Sequence, residues 1–243
     1  MKKILMIIAF CNLAFGQLLN NQEPQLKIPK KSTSNISTKI DLKNFESRIL
    51  LDKQKSKFSW KGGLKFSVSD HDGNLKMING SIVIKDDVIS GLVQINMKSI
   101  TNNDLSAGSK ERLVGHLKSS DFFYVSKYPT ATLKIKSSKI LGKLDNGKYK
   151  MLIDGDLTIK DKTNQISFEA IIDLDSNIKT AEGKLLFDRN KFGVQYRSEM
   201  HLDDPKSFWN KVQAPRNAIK DKVIRDMIEI DFNVVTLSEV ISK

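Results

Sequence analysis

Alternation of period two constrains this chain more than any other feature. Stretch after stretch places an apolar side chain at every second position with polar residues between, so each extended segment has one dry and one wet face. In KFSWKGGLKFSV the dry set is Phe58, Trp60, Leu64, Phe66 and Val68, and in ISGLVQINM it is Ile89, Val93, Ile95 and Met97. ATLKI presents Ala131, Leu133 and Ile135; MLIDGDLTI presents Met151, Ile153, Leu157 and Ile159. ISFEAIIDL offers Ile166, Phe168, Ala170, Ile172 and Leu174, AEGKLLF offers Ala181, Leu185 and Phe187, and IEIDFNV offers Ile228, Ile230, Phe232 and Val234. Strands with two such different faces belong to an antiparallel sheet, not to a parallel sheet covered by helices on both sides.

The segments between them carry turn residues: DHDGN at 70–74, KDD at 85–87, LDNGK at 144–148 and KDKTN at 160–164. These predict hairpins, and Asn146-Gly147 supplies the positive φ of a tight one. About eight strands in hairpin succession, each dry on one face, predict an all-β antiparallel barrel of about eight strands with one or two short helices. Closure removes the exposed edges of the sheet. The interior of such a barrel is either filled by side chains or holds one slender ligand, and periodicity alone leaves both open. Gly62, Gly63, Gly91, Gly155 and Gly183 fall inside strands, where a missing side chain permits bending or leaves room.

The first sixteen residues read differently. Lys2 and Lys3, the apolar ILMIIAF and the small Ala14 and Gly16 have the layout of a secretory signal, predicting cleavage after Gly16 and an exported, periplasmic protein. The lone cysteine, Cys11, lies within this segment behind the bulky Phe10, which argues against lipid attachment there. Residues 17–44, rich in Asn, Gln, Lys, Ser and Thr, read as a flexible polar leader, and 45–243 as one β-barrel domain. The formal charge of +12 favours transient contact with an anionic membrane surface, or serves only to solvate the strand faces. The lysines are spread along strands instead of clustering, which speaks against nucleic acid as a partner.

The run VGHLKSSDFFYVSKYPTATLKI, residues 114–135, gathers a histidine, serines, an aspartate and four aromatics. A serine nucleophile there needs His116 as base and a carboxylate to orient it, and no sharp Gly-x-Ser-x-Gly turn is present. His71, His116 and His201 are the only histidines and none has another at helical ligand spacing, so neither a catalytic nor a metal site is assigned. SKERLVGHLK instead predicts a short helix capped at Ser109, with Leu113 and Leu117 on one face. Phe122 and Phe123 then pack on the sheet or over a barrel mouth, and Tyr128-Pro129 leads into the next strand.

GHLKSSDFFYVSKYPTATLKI, together with SITNNDL before it, GDLTIKDKTNQISFEA after it, FDRNKFGVQYRS at 187–198 and AIKDKVIRDMIEIDFNVV at 218–235, resembles the YceI-like family of secreted polyisoprenoid-binding proteins. The resemblance spans about residues 57–237. It implies a lipocalin-like barrel whose apolar interior takes a polyprenyl chain or an isoprenoid quinone tail, and a protein that binds instead of catalysing, with no cofactor of its own. The wall residues it then implies are Trp60, Phe66, Val93, Ile95, Leu133, Phe168 and Ile172, with Phe122 and Phe123 covering the tail or a barrel end. His116 and Asp121 would tie helix to loop by hydrogen bonds. The alternatives are a packed barrel acting as a stress-related interaction protein, and a hydrolase or metal-dependent enzyme built on His71, His116 and Asp121. The segment 199–217, carrying Phe208, Trp209 and Val212, reads as a lid or an outer surface helix.

Overall fold

The structure is a computed structural model and describes residues 48–67, 70–201 and 222–238. The signal-like segment, the polar leader, Val68 and residues 202–217 of the long insert lie outside the described residues. The strands are β1 (Ile49–Leu50), β2 (Lys57–Gly63), β3 (Asp70–Lys85), β4 (Val88–Asn96), β5 (Thr130–Lys143), β6 (Tyr149–Ile159), β7 (Lys162–Asp173), β8 (Thr180–Asp188) and β9 (Met227–Val235), and the helix α1 is Ala107–Lys118. All the pairings are antiparallel, and they run β3-β2-β9-β8-β7-β6-β5-β4 and back to β3. Eight strands therefore form a closed barrel, as the alternation predicts.

β3 closes the ring by dividing its length. Its first residues pair with β2, from Asp70 opposite Gly63 to Leu75 opposite Phe58, while Lys76 to Lys85 pair with β4. β1 continues the place of β2 in the ring: Ile49 pairs with Ile82 of β3, and Leu51 bridges to Thr236 just beyond β9. Between β1 and β2 the chain bulges outward through residues 52–56, fastened by the Asp52 amide on the Val235 carbonyl at 2.7 Å.

Side chains that alternate inward give the core, with Met151, Ile153, Leu157 and Ile159 of β6 all buried. Gly155 falls in the same inward series, where a Cβ would stand 2.6 Å from the Lys134 carbonyl of β5. Beside it, β5 shifts register between Ile135 and Ser137. Glycine here lets the sheet coil tightly enough to close.

Three sequence expectations are corrected. The strand expected through KFSWKGGLKFSV ends at Gly63, because the backbone changes partners: Leu64 bridges to Ile224 and the Lys65 amide donates to the Val223 carbonyl. Phe66 thus sits in a turn, 55% exposed, and its place in the alternation is coincidental. DHDGN is the start of β3 and no turn, since its backbone is paired on both sides, with β2 and with Thr101 and Asn103. The helix begins at Ala107, with Ser106 at its N-cap and Ser109 one turn inside. The other expected turns are present, as Asp86 and Asp87 (φ 49° and 62°), Gly147 (φ 81°), and a tighter Lys160-Asp161 link after which β7 begins at once.

Candidate functional site: the barrel cavity

The inward faces enclose a cavity of about 400 Å³, walled almost wholly by aliphatic and aromatic side chains. It runs the length of the barrel. At the end closed by α1 it touches Gly62, His71, Leu113 and Phe123, and at the hairpin end it reaches Leu174, Lys179 and Thr236. A volume of this size lies in the range of small-molecule sites, and the barrel is not filled by its own side chains.

Eight of the nine residues expected at the wall line this cavity: Trp60 from β2, Val93 and Ile95 from β4, Leu133 from β5, Phe168 and Ile172 from β7, and Phe122 and Phe123 from the loop after α1. Phe66 does not, for the reason given above. Phe168 meets Phe232 edge to face at 5.6 Å, and the Trp60 indole is fixed by its Nε1–H donating to the Thr101 carbonyl at 2.9 Å. That bond crosses Gly73, where a Cβ would run into the same carbonyl, so the glycine keeps the space that orients the tryptophan.

The SSDFF run is a tight structural knot beside the cavity. The Ser119 carbonyl accepts from the amides of both Phe122 and Tyr124, and the Phe123 amide donates to the Leu117 carbonyl. The Ser119 hydroxyl donates to the His116 carbonyl at 2.8 Å, so it is committed to the backbone and not to an imidazole. His116 Nε2 stands 3.7 Å from Asp121, too far for the expected hydrogen bond. The ring instead packs edge-on against Phe122 at 4.9 Å and Tyr196 at 4.5 Å. Helix and loop are therefore joined by backbone hydrogen bonds and by the aromatic packing of His116, not by a His116–Asp121 bond.

Two polar residues at the wall were not singled out as site residues by the periodicity. Arg189 follows β8 and is completely buried. Its Nε donates to the Arg225 carbonyl, one terminal nitrogen to the Val194 and Tyr196 carbonyls, and the other to the Ile224 carbonyl and the Asp226 carboxylate. A guanidinium has five N–H donors, and each has a partner. Burial pushes its pKa down, opposed by Asp226 and Asp188. Arg189 thus fastens the 194–196 and 224–226 segments under the barrel.

His71, on β3, lies opposite Gly62 in the inward series His71, Gly73, Leu75, Met77. Its Nδ1 contacts Asp104 Oδ2 at 2.7 Å. Asp104 Oδ1 in turn accepts from the Asp72 amide at 3.2 Å and Asn102 Nδ2 at 2.5 Å. Partial burial raises the Asp104 pKa, but the bonds from His71, Asp72 and Asn102 outweigh it and hold the carboxyl below its usual value. The alternation signal for His71 was present in DHDGNLKM and was hidden by its turn-rich composition.

The family model described as YceI-like domain matches residues 50–236. The chain belongs to the YceI-like family. Among solved structures it is similar to BcnA of Burkholderia cenocepacia, with a TM-score of 0.55 and 20% identity over 77% of this chain and 99% of that one. A polyisoprenoid binding domain from Saccharophagus degradans implicated in plant cell wall breakdown scores 0.49 at 14% identity, covering 78% of this chain and 97% of that chain. The Campylobacter jejuni YCEI protein scores 0.48 at 20% identity, covering 73% and 92% respectively. The likeness to BcnA carries the YceI-like barrel fold. No curated protein matches the sequence.

Proposed function

We propose that this protein binds a long-chain isoprenoid lipid, with a polyprenyl or quinone tail, inside its barrel and carries it through the periplasm after loss of residues 1–16. The observation that supports this most is the apolar cavity running from the α1 end to the hairpin end. An apolar tail entering it leaves water at about 0.8 kcal/mol per buried CH₂, which drives binding without any covalent chemistry. Family membership is in keeping with such a ligand. A non-catalytic role is supported by the bonding of Ser119 and Arg189, whose polar groups are committed to backbone carbonyls. The positive charge of the chain gives transient attraction to an anionic membrane from which a lipid is collected.

The test is native mass spectrometry of the protein isolated from the exported fraction, followed by solvent extraction of the bound molecule. A copurifying polyprenyl or quinone species is expected. Protein that is found empty and also refuses added isoprenoids would reject the carrier reading.

A further inference from the structure

A tail in an apolar barrel leaves the polar head of the ligand to be accommodated somewhere along the wall, and few polar groups there are available. Arg189 has no donor to spare. At the hairpin end, the Lys179 amide donates to Thr236 Oγ1 at 2.9 Å, and its ammonium donates to the Ser176 carbonyl at 3.1 Å and keeps two further N–H groups, which suit an anionic head and not a hydrogen-bond-donating hydroxyl. The Trp60 N–H is taken by Thr101. His71 is the acceptor among them. Asp104 binds only Nδ1, and among the described residues Nε2 has no partner, although the side chain lines the cavity and is 36% accessible.

We propose that His71, held by Asp104, is the head-group contact at the α1 end of this barrel, and that it selects a hydroxyl head over a phosphate. This rests on the carrier reading above. A carboxylate on Nδ1 orients that N–H toward itself, so Nε2 is left as an acceptor for a hydrogen bond from a hydroxyl. The choice against phosphate comes from the acids around it. Asp104 touches the imidazole directly, and Asp72 and Asp70 flank His71 in sequence at the same barrel end. Asp70 is neutralised by Arg225 and Lys61. The Asp72 carboxylate accepts from Asn103 Nδ2 at 2.8 Å, a neutral donor that leaves its charge in place. A phosphate at Nε2 would therefore be repelled by the Asp104 charge across the imidazole, with Asp72 adding to it from the outer face of β3, whereas a neutral oxygen would not. Gly62, opposite His71, carries no side chain of its own, and Ile228 borders the space its Cβ would take.

The experiment compares four probes with tails of similar length: phytane, which has no head, geranylgeraniol, a menaquinone with a four-unit tail, and geranylgeranyl monophosphate. Binding to the mature protein is followed by native mass spectrometry and tryptophan fluorescence, with His71→Phe and Asp104→Asn variants whose folding is checked by circular dichroism. In the wild type geranylgeraniol binds about tenfold more tightly than phytane, the size of one good hydrogen bond, and more tightly than the menaquinone or the phosphate. His71→Phe abolishes that preference and leaves phytane binding unchanged, and Asp104→Asn weakens it. His71→Asn, which keeps a polar group at the position, recovers part of it. A menaquinone bound as tightly as geranylgeraniol overturns the choice of a hydroxyl. A preference that survives in His71→Phe, or tightest binding by the phosphate, overturns the proposal while leaving the carrier intact. Failure of every probe, phytane included, rejects the carrier and the head site together.

Discussion

At the hairpin end of the barrel the chain reverses locally, through Asp86-Asp87, through Leu144 to Lys148, and through Leu174 to Lys179, and each turn is bonded mostly within itself. At the other end, among the described residues, Lys160-Asp161 is the one turn of that kind. The other connections there are held by contacts between segments far apart in sequence, with Phe122 after α1, the 189–198 segment and residues 223–226 meeting around one buried arginine. Local turns cost little to form and lose little when altered. A non-local closure concentrates its stability in a few groups, so the two ends should respond very differently to substitution.

The largest difference is expected at Arg189. Arg189→Met keeps most of the volume but leaves four backbone carbonyls without donors, and should cost about 4 kcal/mol, measured by urea unfolding. Hydrogen exchange should show protection lost first around Val194 and Ile224. A cost near zero would mean that water replaces the guanidinium and that this end is less dry than it looks.

Next comes the contrast between packed core and cavity wall. Met151 is 0% exposed, whereas Leu133 borders the cavity. Met151→Phe must push neighbours apart and should cost about 1–3 kcal/mol, while Leu133→Phe grows into empty space and should cost under about 1 kcal/mol. The same Leu133→Phe should weaken binding of any long apolar ligand, read as reduced retention in native mass spectrometry. Equal costs at both positions would show that the cavity collapses around the larger ring.

The smaller local effect belongs to Gly147, whose φ of 81° suits glycine and whose Cβ would meet nothing within 4 Å. Gly147→Ala should lower stability by about 1 kcal/mol through backbone conformation alone, seen as a shift in the denaturation midpoint with an unchanged slope.

The same contrast explains what could be read from sequence. The alternation of β4 to β9 and the turn at Asn146-Gly147 are local patterns, and the barrel and most of its wall follow from them. Phe66 misleads because alternation continues in the sequence after the backbone has left β2 to pair with Val223 and Ile224, more than 150 positions away. His71 was hidden for the opposite reason: Asp, Gly and Asn usually mark a turn, yet here Gly73 is required for close approach to Thr101 and the stretch is a strand. Arg189 carries no periodic signal, since its partners converge only once the barrel has closed. Local pattern thus reports the hairpin end well and the α1 end poorly.

The weakest expected effect probes the seam where β1 gives way to β2. The Asp52 carboxylate accepts from the amides of Gln54 at 2.8 Å and Lys55 at 3.1 Å, and these bonds hold its pKa below the ordinary value of 3.8 despite some burial. A carboxyl whose pKa is lower in the folded state contributes stability that is present above pH 3.8 and is lost as the pH falls through the folded value. Asp52→Asn cannot ionise, so the stability difference between it and the wild type should shrink as the pH is lowered through that window, in urea titrations run at a series of pH values. A difference that stays constant would assign the role of Asp52 to the shape of the turn alone. That result would make the seam a local device like the hairpins, whereas a shrinking gap would show that charge also helps to hold the barrel shut at its one interrupted strand.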